Sequence, residues 1–288
     1  MLRIGPDPGP MPSRWGAGSR AIAWLLLVCF VSGCQSVAGP LSIEQERELG
    51  GEFARQARGE FDFFRDRLVN NYIEQMGRDI LEAAGPQPFD YKFYVLEEDE
   101  LNAFAAPAGH IYVHTGLILA ADNMSELAGV MAHEVGHVAR RHIARNYNRQ
   151  RSTGILYKLG AALLAVFVGG YAAQGGALVG QLAAMAYLNN FSREAEREAD
   201  AFAVEVLPRA GIHPEGLVSF FETLAAQKGG GGSPPSFLSS HPATDERIAN
   251  GRRAIAELDL DPGLKLEDDG KLEIVQRRIL LLTGMASP

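Results

Sequence analysis

The sequence predicts an α+β fold that is mostly helical and contains a small sheet. Most of the chain consists of apolar-periodic stretches that begin at helix-capping residues, whereas two short runs, Tyr91–Leu96 and Ile111–Thr115, have the composition of strands. Hydrophobic residues make up 47% of the 288 residues, which is enough for the core of an ordinary globular domain.

The overall composition excludes several classes of protein. A formal net charge of −8 argues against binding to a nucleic-acid backbone, so no nucleic-acid partner is expected. Two cysteines are too few for a disulfide scaffold or a Cys-rich zinc finger. No internal repeat of solenoid length is visible, so a repeat protein is not expected either.

Residues 1–33 have the pattern of a lipoprotein signal peptide. Arg14 and Arg20 precede an apolar run, and small residues then lead to Cys34. Small residues before a cysteine resemble the bacterial lipobox, in which the cysteine is lipidated and becomes the new N-terminus. We therefore expect lipid on Cys34 and a lipidated tether at residues 34–41. The rivals are a plain cleaved signal and a membrane anchor, although the apolar run is shorter than the roughly 20 residues that span a bilayer.

The residues after Cys34 bear on location. Gln35 and Ser36 are not acidic, and in the lipoproteins that this pattern resembles the lack of an Asp there favours the outer membrane over the inner one. We expect a lipid-anchored chain at the periplasmic face of the outer membrane, with inner-membrane anchoring less favoured. Removal of residues 1–33 would leave 24 basic and 34 acidic side chains, and Cys34 as the only cysteine.

The first half of the mature chain predicts two helices followed by strands. Ser42 can cap a helix that runs to about Arg58. A second helix should run from Phe63 to about Ala84. Its predicted apolar stripe consists of Leu68, Tyr72, Met76 and Ile80. Between the two strand runs, residues 102–109 predict a third short strand with a turn.

The second half predicts mainly helices. Asn123, with Glu126 three residues later, begins a helix that should reach about Arg145. Later helices are expected at about Phe191–Ala210 after an Asn190 cap, from Pro214 to about Gln227, and at about Asp245–Leu258. Leu272–Leu282 is compatible with a strand or a helix. It belongs to residues 259–288, which we expect to pack on the domain as a C-terminal extension.

The segment 155–188 is unusually apolar, and no charged residue occurs from Gly160 to Ser192. Two glycine pairs divide this stretch into pieces that are too short to span a bilayer comfortably. It is compatible with a pair of buried helices and with a hairpin that touches the membrane.

The predicted helix after Asn123 carries an H-E-x-x-H sequence. His133 and His137 are four residues apart, so both imidazoles face one side of a helix. Two neutral imidazoles suit Zn²⁺, and Glu134 projects beside them, where it can take a proton from a water on the metal. His142 lies nine positions after His133, on the opposite side of a continuous helix, and we expect it to have a surface or packing role.

A catalytic zinc needs three protein ligands, and the candidates for the third are carboxylates downstream. Glu196 and Asp200 are four apart on one helical face, where Glu196 could bind the metal and Asp200 could take the N–H of a ligating histidine. Glu194 and Glu198 fall on other faces and are explained by a solvated charge run with neighbouring arginines. Spacing alone leaves these two open as ligands.

Four segments together resemble the zinc metallopeptidases of the HtpX/BepA/LoiP type, gluzincins related to the CAAX prenyl proteases. The resemblance covers about residues 42–250 in the family's order. The segments that carry it are Asn102–Leu117, Glu126–His142, Ser192–Asp200 and Ser240–Ile248.

The resemblance implies a zincin-like metallopeptidase domain at residues 42–258, with an edge strand of its sheet facing the active site. It implies one Zn²⁺ per chain. The expected ligands are His133, His137 and Glu196, with Glu134 as general base and Asp200 hydrogen-bonded to a ligating histidine. Substrate would pair along the edge strand at Asn102, Ala103, Phe104 and Ala105.

His241 is expected to act as a removable fourth ligand, because related peptidases carry a histidine at the matching position that can occlude the metal. Two other roles stay open for His241. It could be a histidine at a helix entry before Pro242, or a donor that stabilises the transition state.

The implied function is a zinc-dependent endopeptidase of the bacterial cell envelope that cleaves misfolded or unassembled envelope proteins by Glu134-assisted attack of zinc-bound water. The alternative is an outer-membrane assembly factor or adaptor with a structural zinc and little proteolysis. Expected partners are unfolded or misassembled envelope proteins, the membrane through lipid on Cys34, and the outer-membrane assembly machinery.

Two departures from the family bear on domain organisation. HtpX-type members are integral membrane proteins, whereas this chain has a lipobox. BepA-type members carry a tetratricopeptide array, and the roughly 40 residues after Arg247 are too few for one. A single-domain lipoprotein member is therefore expected.

Overall fold

The computed structural model describes residues 41–152, 191–227, 236–242 and 244–285. The helices before residue 153 are α1 Ile43–Glu60, α2 Arg67–Ala84, α3 Thr115–Ala120, α4 Met124–Ala139 and α5 His142–Ser152. The helices after residue 190 are α6 Arg193–Arg209, α7 Glu215–Gln227, α8 Ser236–Ser240, α9 Asp245–Ala256 and α10 Lys271–Thr283. The strands are β1 Lys92–Leu96, β2 Ala103–Ala106 and β3 His110–His114. The predicted α+β fold, mostly helical with a small sheet, is confirmed.

The sheet has the order β1-β3-β2 among the described residues, so β2 lies at an edge. Strand β1 runs parallel to β3, whereas β2 is antiparallel to β3 with Ala103 opposite Val113. The chain turns from β2 to β3 through Ala108 and Gly109, which both have positive φ. A Cβ on Gly109 would also lie 3.2 Å from Tyr91 Cα, so the turn needs glycine there for space as well as for its conformation.

Helix α4 is the central element of the core. Every residue from Met124 to Val138 is buried, because the sheet, α2, α6 and α7 surround the helix. Asn123 caps α4 by accepting a hydrogen bond from the backbone N–H of Glu126, which is the predicted start. A helix that is covered on all sides presents its polar residues only to other protein groups, so the H-E-x-x-H residues must find their partners inside the fold.

Helix α2 starts later than the sequence pattern predicted. Asp66 accepts hydrogen bonds from the backbone N–H groups of Leu68 and Val69, so it is the N-cap and the helix begins at Arg67 instead of Phe63. Leu68 is 46% exposed, and its place on the predicted apolar stripe was wrong. Val69 and Ile73 occupy the buried face instead.

The predicted single helix from Asn123 to Arg145 is two helices. Helix α4 ends at Ala139, and Arg141 has a φ of 54° in the left-handed region. The side chain of Arg141 reaches the buried Glu46 at 2.9 Å and donates to the carbonyl oxygen of Leu41. These contacts stabilise a backbone conformation that a non-glycine residue rarely adopts, and the chain re-enters a helix at His142.

The ends of the later helices also differ in detail. Helix α6 begins at Arg193, capped by the Ser192 hydroxyl, which accepts from the N–H of Ala195; the predicted cap, Asn190, lies outside the described residues. The C-terminal segment that the sequence left undecided is the helix α10. Its Gln276 donates hydrogen bonds to the carbonyl oxygens of Ile118 and Ala121, and these contacts attach α10 to the end of α3.

Several expectations fall on residues that the structure does not describe. They are the signal peptide, Cys34 with its tether up to residue 40, and the apolar segment 155–188. Within the described ranges, no helix combines the length and apolar character needed to cross a membrane.

Candidate metal centre

Helices α4 and α6 approach closely where the candidate ligands lie. Gly136 faces α6, and a Cβ at this position would come within 3.2 Å of Ala199 Cα and 3.1 Å of the Phe202 ring. The glycine inside the H-E-x-x-H sequence therefore lets the two helix backbones pack almost in contact. This packing places Glu196, from the first turn of α6, beside His133 and His137.

Four buried side chains converge at this point. His133 Nε2 lies 2.9 Å from His137 Nε2 and 3.3 Å from His241 Nδ1. The Glu196 carboxylate lies 3.5 Å from His133 Nε2, 3.6 Å from His137 Nε2 and 3.1 Å from His241 Nδ1. Among the described residues these four form the set that could hold a metal ion, with all ligand atoms within 4.8 Å of one another.

The spacing of these atoms fits a tetrahedral zinc site. Ligand atoms about 2.0–2.1 Å from a zinc ion in tetrahedral geometry lie about 3.3 Å apart. The five separations given above, 2.9–3.6 Å, scatter around that value, and every pair in the set lies within 4.8 Å. Two imidazole nitrogens, a third imidazole and a carboxylate are also the donor types that zinc prefers, so the residues present fit the metal that the sequence predicts.

Asp200 and Arg247 lie behind the ligands. Asp200 Oδ1 is 2.9 Å from His133 Nδ1, the ring nitrogen that points away from the ligand cluster. Arg247, on α9, donates two parallel hydrogen bonds of 2.7 Å to Asp200, and its third nitrogen lies 2.8 Å from Glu196. The guanidinium also lies over the Phe221 ring, with its Cζ 4.4 Å from the ring centroid. Arg247 thus fixes the orientation of the candidate ligand Glu196 and of Asp200, the carboxylate behind His133.

The two carboxylates make the cluster a favourable place for positive charge. Burial alone would lower the pKa of His133, but hydrogen bonds to Asp200 and Glu196 outweigh burial and raise it to about 9. Burial opposes ionisation of Glu196, yet His241 and His133 hold its pKa well below the ordinary value. Burial and the neighbouring rings lower the pKa of His137, which keeps it in the neutral form that binds metals.

Glu134 is the other ionisable group at the cluster. Its side chain is fully buried, and neither carboxylate oxygen has a side-chain hydrogen-bond partner among the described residues. Burial raises its pKa, while His241, with its Nε2 at 3.5 Å, and the backbone amide of Ala105 partly offset that rise. A buried carboxylate that makes no side-chain hydrogen bond is available to exchange a proton.

His142 and Glu198 have roles that sequence reasoning missed. His142 is 1% exposed, and its Nδ1 lies 2.8 Å from His137 Nδ1, so the expected surface or packing role was incomplete. The expectation assumed one continuous helix, whereas the turn at Arg141 brings His142 back beneath His137. Glu198, expected to lie in a solvated charge run, instead contacts His142 at 3.0 Å and Arg145 at 2.7 Å. Glu194 is exposed and lies outside the cluster.

The edge strand β2 borders the site. The backbone amide of Ala105 interacts with the Glu134 carboxylate, which places this strand at the candidate catalytic group. The carbonyl oxygen of Asn102 accepts a hydrogen bond from the N–H of His114 on β3. Because backbone groups alternate in an antiparallel ladder, Asn102 and Phe104 pair with β3 while the N–H and C=O groups of Ala103 and Ala105 face outward.

Comparison with known proteins shows which family has this arrangement. The profile of Peptidase family M48 matches residues 67–255, about two thirds of the chain, and this range contains every candidate metal ligand. The chain belongs to peptidase family M48. The suspected family is confirmed, and the described domain is a metallopeptidase domain of the M48 type.

Individual relatives cover different shares of the M48 chain. The beta-barrel assembly-enhancing protease of Escherichia coli K12 is 36% identical over 222 residues, which are 75% of this chain and 45% of that protein. Metalloprotease YcaL of the same organism is 36% identical over 171 residues, 59% of this chain and 63% of YcaL. Metalloprotease LoiP is 35% identical over 162 residues, 56% of this chain and 60% of LoiP. The chain therefore spans about half the length of the first of these relatives.

Proposed function

We propose that this M48 chain is a zinc-dependent endopeptidase that degrades misfolded or unassembled proteins of the bacterial cell envelope. The observation that carries the proposal is the buried cluster of His133, His137, Glu196 and His241 directly beside the buried carboxylate of Glu134, which has no side-chain hydrogen bond among the described residues. Desolvation of a carboxylate is costly, and a binding module would gain nothing from burying Glu134 beside a metal site. The names of the bacterial relatives, two metalloproteases and a beta-barrel assembly-enhancing protease, support the same function.

The bound zinc would be held by His133, His137 and Glu196, and it would supply Lewis-acid activation of water and of the scissile carbonyl. The other chemistry belongs to Glu134. It would accept the proton of the attacking water and deliver it to the leaving amine. Burial raises the pKa of Glu134 toward the working pH, which suits a group that must both take and return a proton.

The substrate would bind in extended form along β2. The outward-facing N–H and C=O groups of Ala103 and the C=O group of Ala105 would pair with the peptide backbone, as in strand addition at a sheet edge, while the Ala105 N–H contacts the Glu134 carboxylate. Small side chains at these two positions let β2 lie close to α4, so a peptide paired with β2 would pass Glu134. Asn102 and Phe104 would flank the bound peptide from the other face of the strand.

His241 gives the site a latent form in this proposal. Four protein ligands leave no open position on a tetrahedral metal, so a peptidase with His241 bound would be inactive until this histidine moves away. His241 follows the short helix α8 and stacks on Phe237 at 4.8 Å between ring centres. Latency would protect folding intermediates in the envelope from premature cleavage.

The same four-ligand set favours the second candidate function, an outer-membrane assembly factor with a structural zinc, because structural sites are closed. Glu134 separates the two candidates, since a structural site has no use for a general base.

The location proposed is the periplasmic face of the outer membrane, with lipid on Cys34 as the anchor. Unfolded or misassembled envelope proteins would be the substrates, and the outer-membrane assembly machinery would be a partner in their supply. The relative named as an assembly-enhancing protease supports this setting.

The decisive experiment is cleavage of an unfolded outer-membrane porin by the purified, zinc-loaded chain. Wild type should cleave and Glu134→Gln should not, while both keep zinc. The structural-zinc alternative would be favoured if neither the zinc-loaded wild type nor the zinc-loaded His241→Ala variant cleaves unfolded porin or casein.

A further inference from the structure

We infer that His142 and Glu198 form a proton-orienting relay that sets the tautomer of the metal ligand His137 and thereby tunes its metal affinity. Neither residue belongs to the set that could hold the metal ion. Both act through His137, so they are positioning residues. The inference rests on the proposed zinc site and adds to it a second outer support, independent of Asp200 and Arg247.

The relay is continuous from the ligand to the protein surface. His137 Nδ1 and His142 Nδ1 are 2.8 Å apart, and His142 Nε2 is 3.0 Å from Glu198 Oε2. The same carboxylate oxygen accepts a hydrogen bond of 2.7 Å from Arg145, one helical turn beyond His142 on α5. His142 is fully shielded from solvent, whereas the side chains of Glu198 and Arg145 are 32% and 49% exposed.

The positions of the protons follow from these distances. A metal on His137 Nε2 needs the lone pair of that nitrogen, so the ring proton of His137 must be on Nδ1. His142 Nδ1 must then accept this proton's hydrogen bond, which leaves the single proton of a neutral His142 on Nε2. Glu198 is the acceptor that Nε2–H needs. The carboxylate therefore selects one tautomer of His142, and His142 selects the metal-binding tautomer of His137.

A carboxylate or carbonyl oxygen directly on the ligand histidine is the usual arrangement in zinc sites, and His133 has it through Asp200. At His137 a neutral imidazole stands between the ligand and the carboxylate. The neutral acceptor orients His137 without bringing a second full negative charge next to the cluster. Phe191, stacked on the His137 ring at 4.0 Å, fixes the remaining freedom of the ring plane.

The test uses two substitutions of nearly equal shape at His142. Asn can place its Oδ1 where His142 Nδ1 stands and accept from His137, whereas Leu fills the same volume without an acceptor. Zinc affinity of the full chain is measured by competition with a chromophoric chelator, and the visible spectrum of the Co²⁺-substituted chain reports the ligand geometry. We expect His142→Leu to weaken zinc binding by about 10–100-fold and His142→Asn to recover most of that loss. The Co²⁺ spectrum should change in the Leu variant and return toward wild type in the Asn variant.

Equal zinc affinities for the Asn and Leu variants, whether both weak or both like wild type, would overturn the relay, because only the hydrogen-bond acceptor distinguishes them. Failure of the wild type to bind zinc would instead overturn the proposed function. If both His142 variants fail to fold, Glu198→Gln is compared with Glu194→Gln, which removes the same charge from an exposed position on the same helix. Weaker zinc binding by Glu198→Gln alone supports the relay, and equal affinities in the two variants reject it.

Discussion

Arg247 donates two parallel hydrogen bonds of 2.7 Å to the Asp200 carboxylate, and its third nitrogen lies 2.8 Å from the Glu196 carboxylate. A single buried guanidinium therefore connects the candidate ligand Glu196 to Asp200, the carboxylate that contacts the candidate ligand His133. The fork geometry of arginine suits this double task, because a lysine ammonium is a point charge that cannot bridge both carboxylates in the same plane.

Arg247→Lys should therefore lower zinc affinity by about tenfold or more, although the formal charge is conserved. Chelator competition measures the affinity, and thermal unfolding of the metal-free chain reports whether the fold survives. Arg197→Lys is the matched control, since Arg197 makes an exposed ion pair with Glu246. Unchanged zinc affinity in Arg247→Lys would show that its charge suffices and its geometry does not matter.

Glu196→Gln should lower the metal content, whereas Glu134→Gln should leave it unchanged. Glu134→Gln keeps zinc but loses turnover by about 10²–10⁴-fold, because an amide cannot accept the proton. Glu196→Gln loses zinc, since a neutral amide is a poor ligand for the cation. Metal analysis of both purified variants decides between these roles. Normal zinc content in Glu196→Gln would move the third ligand elsewhere, with Glu194 and Glu198 the next to test.

His241→Ala should raise basal cleavage of an unfolded substrate while zinc stays bound by three ligands. If the ligated form makes up nine-tenths of the resting enzyme, the rise is about tenfold. Initial rates at matched zinc occupancy are the measurement. A variant slower than wild type would identify His241 as a catalytic or structural residue and reject the latency switch.

Cys34→Ser should abolish lipidation and leave the chain unprocessed or released. Metabolic labelling with a palmitate analogue in a diderm host measures the lipidation. Cys29→Ser is the control, because Cys29 lies within the apolar run of the predicted signal. Unchanged labelling of Cys34→Ser would reject the lipoprotein prediction.

Asp66→Asn should destabilise the protein near neutral pH, and this loss of stability should shrink progressively as the pH falls below about 4. Burial opposes ionisation of Asp66, but hydrogen bonds from Val69 N–H and Arg278 outweigh it and lower the pKa. A lowered pKa in the fold stabilises at pH values above the unfolded pKa of about 3.9, and that stabilisation disappears as pH falls through the folded value. Asn keeps the helix cap and loses the pair with Arg278 on α10.

Solvent exposure limits the loss of stability expected from Asp66→Asn. The Arg278 side chain is 43% exposed, so the pair should contribute at most about 1 kcal/mol, or about 2–4 °C in Tm. Melting curves at pH 7 and pH 3 measure it, with the exposed Asp79→Asn on the same helix as control. An equal loss of Tm at both pH values would mean that the charge of Asp66 does not stabilise the attachment of α10.

The order of elements and the candidate ligands of the metal centre were accessible from the sequence because they depend on short-range spacing. Residues four apart share a helical face, which placed His133 with His137 and Glu196 with Asp200. The packing of α4 against α6 is a long-range event, and the sequence indicated it only through the family resemblance. Gly136 is the local signal of that approach, but a glycine inside a helix has several possible causes.

The surroundings of His137 could not be predicted because a single backbone angle decides them. No glycine, asparagine or proline marks the end of α4, and Arg141 adopts its positive φ through contacts with Glu46 and Leu41 about 100 residues earlier in the chain. Helical periodicity therefore placed His142 on the wrong side. The misplaced Leu68 has a similar origin, since Asp66 and not the apolar periodicity determines where α2 begins.

The outward-facing backbone of β2 at Ala103 has a consequence for what the proposed enzyme can recognise. Backbone pairing is largely blind to side-chain identity, so β2 would sense whether a stretch of polypeptide still has unsatisfied amides and carbonyls. A closed β-barrel has no free strand edge, whereas an incomplete barrel keeps one. Under the proposed function, a substrate protein would no longer bind to β2 once its own strand edges are paired. Cleavage would therefore be limited to the period before the barrel closes.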